Sequence, residues 1–190
     1  TTTIVGGQTA TIVYHGDEQR TSGVIVEDLT IQDLIEADVI HDENIILTDT
    51  GLTVEELQEA VSYCHIRGVK LHVAANILIK EKETASFLDY IEKIGALVDA
   101  IIIQDIGMAK KIREIYPEIP LHACAQMTVA SVEAVKRLEE MGITRVALAR
   151  ELSLSQIENI CKNTNVEIEV FCHGAICMCY SGQCLMSSII

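Results

Sequence analysis

Four cysteines, Cys172, Cys177, Cys179 and Cys184, crowd into residues 172–184, with His173, Gly174 and Gly182 among them. Thiolates at that density ligate soft metals, and four of them suit zinc or an iron–sulfur cluster. The spacing C-x4-C-x-C-x4-C lacks the paired C-x2-C knuckles of a zinc ribbon. Buried, inert thiols are the plainer account, because cysteine is among the most buried residue types. The clustering and the flanking glycines favour ligation. Cys64, Cys124 and Cys161 are spread through apolar-periodic segments instead. An odd total of seven with four clustered does not look like a secreted disulfide scaffold, so a reducing, cytoplasmic setting is expected.

A second set of chemically able residues lies at the ends of short apolar runs. These are Asn76, Gln104 and Asp105, Gln126, Arg150 and Glu151, and His173. If the runs are parallel strands of a barrel, all of them reach one C-terminal rim, where active sites are built. Any single one could simply cap a helix or meet water; five strand ends in register favour a shared pocket. Arg150 is the natural carboxylate anchor, since its planar fork pairs bidentately. His173 is the proton-transfer candidate, the one strand-end group that titrates near neutrality. Glu151 joins them as a catalytic candidate, with Glu169 as its acid–base partner or, more plainly, as an ion-pair partner of Arg150. Asn76, Gln126 and Arg150 are the expected substrate-binding groups. For peptide hydrolysis the sequence has no Gly-x-Ser-x-Gly elbow and no His-Glu-x-x-His pair. A thiol mechanism through His173 and Cys177 competes with ligation by the neighbouring cysteines.

The elements that must position these residues follow from periodicity. Thr53-Val54-Glu55-Glu56 is a capping box, and Val54, Leu57, Val61 and Cys64 continue at helical spacing until Gly68. Leu71 to Ile77 then reads as a strand, Phe87 to Ile94 as a helix and Ala100 to Ile103 as a strand. Met108 to Ile115 is a helix stopped by Pro117, Leu121 to Gln126 a strand, and Val132 to Met141 a helix ended by Gly142. Val146 to Ala149 is a strand, Ser153-x-x-Gln156 caps a further helix, and Ile168 to Cys172 is a last strand. Five strands separated by helices are the signature of a parallel sheet. No glycine-rich phosphate loop follows any of them, which favours a barrel over a dinucleotide fold. The expected fold is therefore α/β, an incomplete or divergent TIM-type (β/α) barrel with parallel strands. Residues 51–190 form its βα-repeat portion. Residues 1–50 form a divergent N-terminal segment, with strands at Ile12 to Tyr14, Val24 to Val26 and Ile45 to Leu47. A short helix is expected over Ile31 to Ala37, and turns at Gly6-Gly7 and Gly16.

The 190 residues are 49% hydrophobic and 22% charged, a globular balance that excludes wholesale disorder. No apolar stretch is long enough for a membrane span. The net charge of −14 gives no attraction for phosphate backbones, so RNA would have to be engaged by regions outside this segment. A start on Thr1 and an end at Ile190 within an apolar run read as a partial chain. The expected partners are a peptide or small-molecule substrate, and further copies of the chain.

The stretch from Glu169 to Ser187 (E-x-F-x-x-G-A-I-C-x4-G-x-C-x-M-S) resembles the signature of the collagenase-like peptidases, peptidase family U32. Thr53 to Gly68 is similar to the family helix T-x-E-E-L-x-x-A-V-x-Y-x-x-x-R-G, and Val73 to Ile77 to a strand ending in Asn-Ile. His122 to Gln126 resembles its H-x-S-x-Q strand, with Cys124 in place of the serine, and Arg145 to Ser153 the segment before the signature. The resemblance implies a peptidase by family label. It equally implies, as the alternative, an iron–sulfur hydroxylase of an RNA base or a quinone, or a catalytically idle barrel subunit. In the hydroxylases a 4Fe-4S cluster is held by four cysteines, and two of them map onto Cys177 and Cys184. Cys172 and Cys179 are further candidates within this chain, although Cys177 and Cys179 need a non-strand turn to face one metal. The cluster is thus expected in the full-length protein and incomplete in this segment.

Overall fold

The computed structural model describes residues 9–15, 18–26, 44–48, 53–173 and 177–185, with residue 173 and the first three segments as backbone alone. Eight strands close into a barrel in sequence order. They are β1 (Thr9–His15), β2 (Glu18–Val26), β3 (Asn44–Thr48), β4 (Lys70–Ala75), β5 (Ala100–Ile103), β6 (Leu121–Ala123), β7 (Arg145–Ala147) and β8 (Glu167–His173). From β2 to β8 every neighbouring pair is parallel. The expected barrel is present, with one departure: β1 runs antiparallel to both β2 and β8. The cause lies in chain length. Only two residues separate His15 from its partner Glu18, whereas a parallel crossover needs a dozen or more. The helix expected over Ile31 to Ala37 and the glycine turns at Gly6-Gly7 and Gly16 lie outside the described residues.

Among the described residues five helices cover the outside: α1 (Val54–Ile66), α2 (Thr84–Gly95), α3 (Ile106–Ile115), α4 (Val132–Glu140) and α5 (Leu154–Asn163). Their ends are written locally. Thr53 and Ser153 each form a reciprocal capping box, with Glu56 and Gln156 respectively. Gly68 (φ +73°) and Gly142 (φ +81°) close α1 and α4 in the left-handed region. At α1 the Gly68 N–H donates to His65 and the Val69 N–H to Cys64; Gly142 and Ile143 repeat the pattern on Glu139 and Leu138. Both are Schellman closures, which a side chain at the glycine would strain.

Strand alternation divides the barrel into two unlike compartments. Leu71, Val73, Ile101, Ile103, Leu121, Val146 and Ile168 pack against the helices in one apolar core. The residues between them point the other way, into the lumen: His72 on β4, His122 on β6, Arg145 on β7, and Glu167 and Glu169 on β8. Barrel interiors are ordinarily filled by branched apolar side chains in layers. This one carries ionisable groups, and their register makes a layer, with Ile102 opposite His122 and His122 opposite Arg145.

Candidate functional site

The chain leaving β8 folds back over the C-terminal rim, and Ser181 fastens it there. Ser181 is 3% exposed. Its N–H and hydroxyl both donate to Glu151 Oε1, at 2.6 and 3.1 Å. Its Oγ accepts from the backbone N–H and the Nε of Arg150, both at 3.2 Å, and its carbonyl accepts from Thr128 Oγ1 at 2.6 Å. Thr128 itself has φ +56°, a left-handed conformation, where the turn Ala125–Met127 ends. The loops after β6, β7 and β8 are thereby tied together through one buried serine.

Gly182 lets the segment come so close. Its φ is +77°, and a Cβ at that position would collide with the Gln126 carbonyl. Gly182→Ala is expected to lift the cysteine segment off the rim. The left-handed backbone alone costs about 1–2 kcal/mol for a residue with a Cβ, before the collision is relieved. Faster limited proteolysis around residues 177–185, with an unchanged circular dichroism spectrum, is the expected result.

On this docked segment the thiols of Cys177, Cys179 and Cys184 converge, all three sulfurs lying within 4.8 Å of one another. The turn that Cys177 and Cys179 require is present, and the Cys179 N–H donates to Cys177 Sγ at 3.4 Å. That N–H and the Arg150 side chain hold the Cys177 thiol below its ordinary range, which favours the thiolate a metal needs. Cys179 is pushed up, first by its hydrogen bond and charge contact with Cys184, as expected when several sulfurs share one small volume. The donor set therefore fits a thiophilic centre. Cys172, on β8, is not among the three that meet.

The other candidates divide. Gln126, Arg150 and Glu151 are gathered at the rim with the cysteines. Asn76 sits beside Cys124, whose thiol is raised by burial against the pull of hydrogen bonds from Gln126 and Asn76. Asp105 caps α3 through Met108 N–H and also accepts from Ile79 N–H, so it serves the loops. Glu151 is opposed by burial, yet the N–H groups of Glu151 and Ser181 and the Ser181 hydroxyl hold its carboxyl low. A carboxylate so engaged anchors the loop. Glu169 takes its cation from the adjacent strand: Arg145 NH1 lies 3.7 Å from it, and Arg145 NH2 lies 2.8 Å from Glu167. His173 ends β8, and its side chain lies outside the described residues.

Below the rim, the His72 and His122 rings meet edge to face at 4.9 Å. Both Nδ1 atoms are buried with no hydrogen-bond partner among the described residues. Burial, then the Arg145 charge, lowers His72 to about 4 from the ordinary 6.5, and His122 falls well below its ordinary value for the same reasons. The folded state thus refuses protons that the unfolded chain accepts. Stability is complete above about pH 6.5 and declines as pH falls toward 4, by about 3 kcal/mol for His72 alone. Urea midpoints at pH 7 and pH 4.5 measure this, and His72→Phe should flatten the profile.

Reading the sequence missed Ser181, Thr128 and the lumen layer. The Ser-Gly pair inside the cysteine cluster was the available signal for Ser181. Ionisable residues inside runs of aliphatics (His72 within LHVAANI, Arg145 before VALA) were the signal for the lumen.

Among known proteins the chain is similar to three groups. It is 39% identical over 138 residues to the tRNA hydroxylation protein P of Escherichia coli, covering 72% of this chain and 30% of that protein. It is 38% identical over 136 residues to the 23S rRNA 5-hydroxycytidine C2501 synthase of the same organism, covering 71% and 20%. It is 33% identical over 151 residues to a collagenase of Porphyromonas gingivalis, covering 72% and 35%. The chain spans only 20–35% of the length of these relatives. In fold it matches the solved U32 peptidase Mk0906 with a TM-score of 0.62 at 14% identity, over 82% of this chain and 70% of that one. The model of peptidase family U32 matches residues 46–190, three-quarters of the sequence and all of the rim described above, so the chain belongs to that family.

Proposed function

We propose that this chain is the barrel segment of an enzyme that hydroxylates an RNA base, using an iron–sulfur cluster held through Cys177 and Cys184 together with Cys179. The observation that carries this reading is the convergence of three thiols on a segment locked to the barrel rim. Two of the relatives named above modify tRNA or rRNA, and both are more similar to this chain than the collagenase is. When bound, the cluster supplies one-electron chemistry. The chain's own residues orient it and guard its charge. Ser181 and Gly182 hold the ligand segment in place, and Arg150 puts a cation beside the thiolates and beside any carboxylate drawn to the rim. With a net charge of −14 this segment repels phosphate, so the rest of the protein supplies the RNA affinity. No helix among the described residues is long and apolar enough to cross a membrane.

The experiment is mass spectrometry of nucleosides from tRNA and rRNA of cells with and without the gene. A nucleoside carrying one extra oxygen should vanish on deletion and return with the full-length gene, and fail to return with Cys177→Ser. Unchanged nucleosides, with gelatin cleavage by the purified protein, would restore the peptidase reading.

A further inference from the structure

Tyr180 stands between Cys179 and Ser181, so its backbone is held on one side by the thiol group and on the other by the serine that pins the segment to the rim. The turn is closed again by the Gln183 N–H, which donates to the Tyr180 carbonyl at 3.0 Å. Yet the side chain is 71% exposed, and its neighbours Met178 and Leu185 are 99% and 69% exposed. The rim continues the theme, since Ile77 and Leu78 after β4, Ile106 after β5 and Leu154 after β7 are all large, apolar and exposed. Ile66 and Ile115, at the C-terminal ends of α1 and α3, are exposed at the opposite end, but the larger share lies at the C-terminal rim, and a concentration of that kind marks a binding face. A rigid backbone that presents an aromatic ring to solvent loses little entropy when the ring is covered.

We infer that Tyr180 is a stacking platform for an unpaired nucleobase, positioning it beside the thiols with Met178 and Leu185 as apolar flanks. The inference rests on the hydroxylase reading and names the residue that would hold its substrate. An extruded base is flat and uncharged, so it can enter this face although the segment is acidic. Proteins that act on a base take it out of its stack and commonly seat it against an aromatic side chain. The edge of the base would face the metal site, while its phosphates stay with the basic parts of the full-length protein.

The test uses full-length protein, fluorescently labelled octauridylate (whose bases stack little on one another) and an abasic oligomer with the same phosphates. Tyr180→Ala should weaken octauridylate binding by about tenfold or more, as expected for one lost base–aromatic stack. It should leave abasic binding and iron content unchanged, and Tyr180→Phe should behave as wild type. Equal affinity of Tyr180→Ala and wild type for octauridylate overturns the platform, as does an equal loss for both oligomers. The two readings fail separately. A stacking effect without any hydroxylated nucleoside in cells removes the hydroxylase and leaves the platform. Unchanged KM for hydroxylation in Tyr180→Ala does the reverse.

Discussion

Under the proposed function, replacing Cys184 by serine in the full-length protein is expected to abolish iron–sulfur absorption and the hydroxylation of RNA, while the barrel stays folded. Cys177, Cys179 and Cys184 bring their sulfurs within 4.8 Å of one another, and the segment that bears them makes its folding contacts through other residues, Ser181 and Gly182. A thiolate is a strong ligand for iron and a serine hydroxyl a poor one, so the exchange removes affinity without removing volume. Cys172→Ser is the matched control. It lies on β8 and is not one of the three whose sulfurs meet, so iron and sulfide content should stay at the wild-type level. The measurement is anaerobic purification with iron and sulfide analysis and a visible absorption spectrum. Loss of iron with Cys172→Ser, and none with Cys184→Ser, would reverse the assignment of ligands.

Arg145→Leu should be the most destabilising single change in the lumen. The Arg145 side chain is 7% exposed, as is that of its partner Glu169, while Glu167, its other partner, is 32% exposed. Deleting the cation removes the positive charge that faces the Glu169 carboxylate in the barrel interior. Breaking a buried pair on one side costs about 3–5 kcal/mol, because the remaining charge is uncompensated. Pairing it with Glu169→Gln, which removes the stranded charge, should recover a large part of the loss; a double-mutant cycle separates the two contributions. The same substitution removes a charge that holds down the proton affinity of His72 and His122. The acid loss of stability should therefore be smaller in Arg145→Leu, still beginning near pH 6.5 but ending at a higher pH. Chemical denaturation of the four proteins at pH 7, and of Arg145→Leu across pH 4.5–7, checks both statements. A loss under about 1 kcal/mol would mean that water reaches Glu169.

The sequence by itself determined whatever is decided within a few residues. Thr53 with Glu56 and Ser153 with Gln156 are capping boxes on paper and in the fold, because the reciprocal bonds span three positions and need no tertiary help. Gly68 and Gly142 end their helices for an equally local reason, the left-handed residue that a Schellman closure requires. The rhythm of short apolar runs and amphipathic helices was enough for a parallel barrel, since strands buried on both faces carry no polar alternation. Tertiary structure alone decided three other matters. The pairing of β1 with β8 closes the barrel between strands some 150 residues apart, which no local signal shows. The inward face of each strand was hidden because both faces of a barrel strand are buried, so period-two alternation does not distinguish His72, His122 and Arg145 as members of one layer. The meeting of Cys179 with Cys177 and Cys184 was set by contacts 30 to 53 residues apart, from Glu151, Arg150 and Thr128 to Ser181, which hold the segment at the rim. Spacing along a chain tells which residues could be ligands; the turn that joins them is made by partners that spacing does not show.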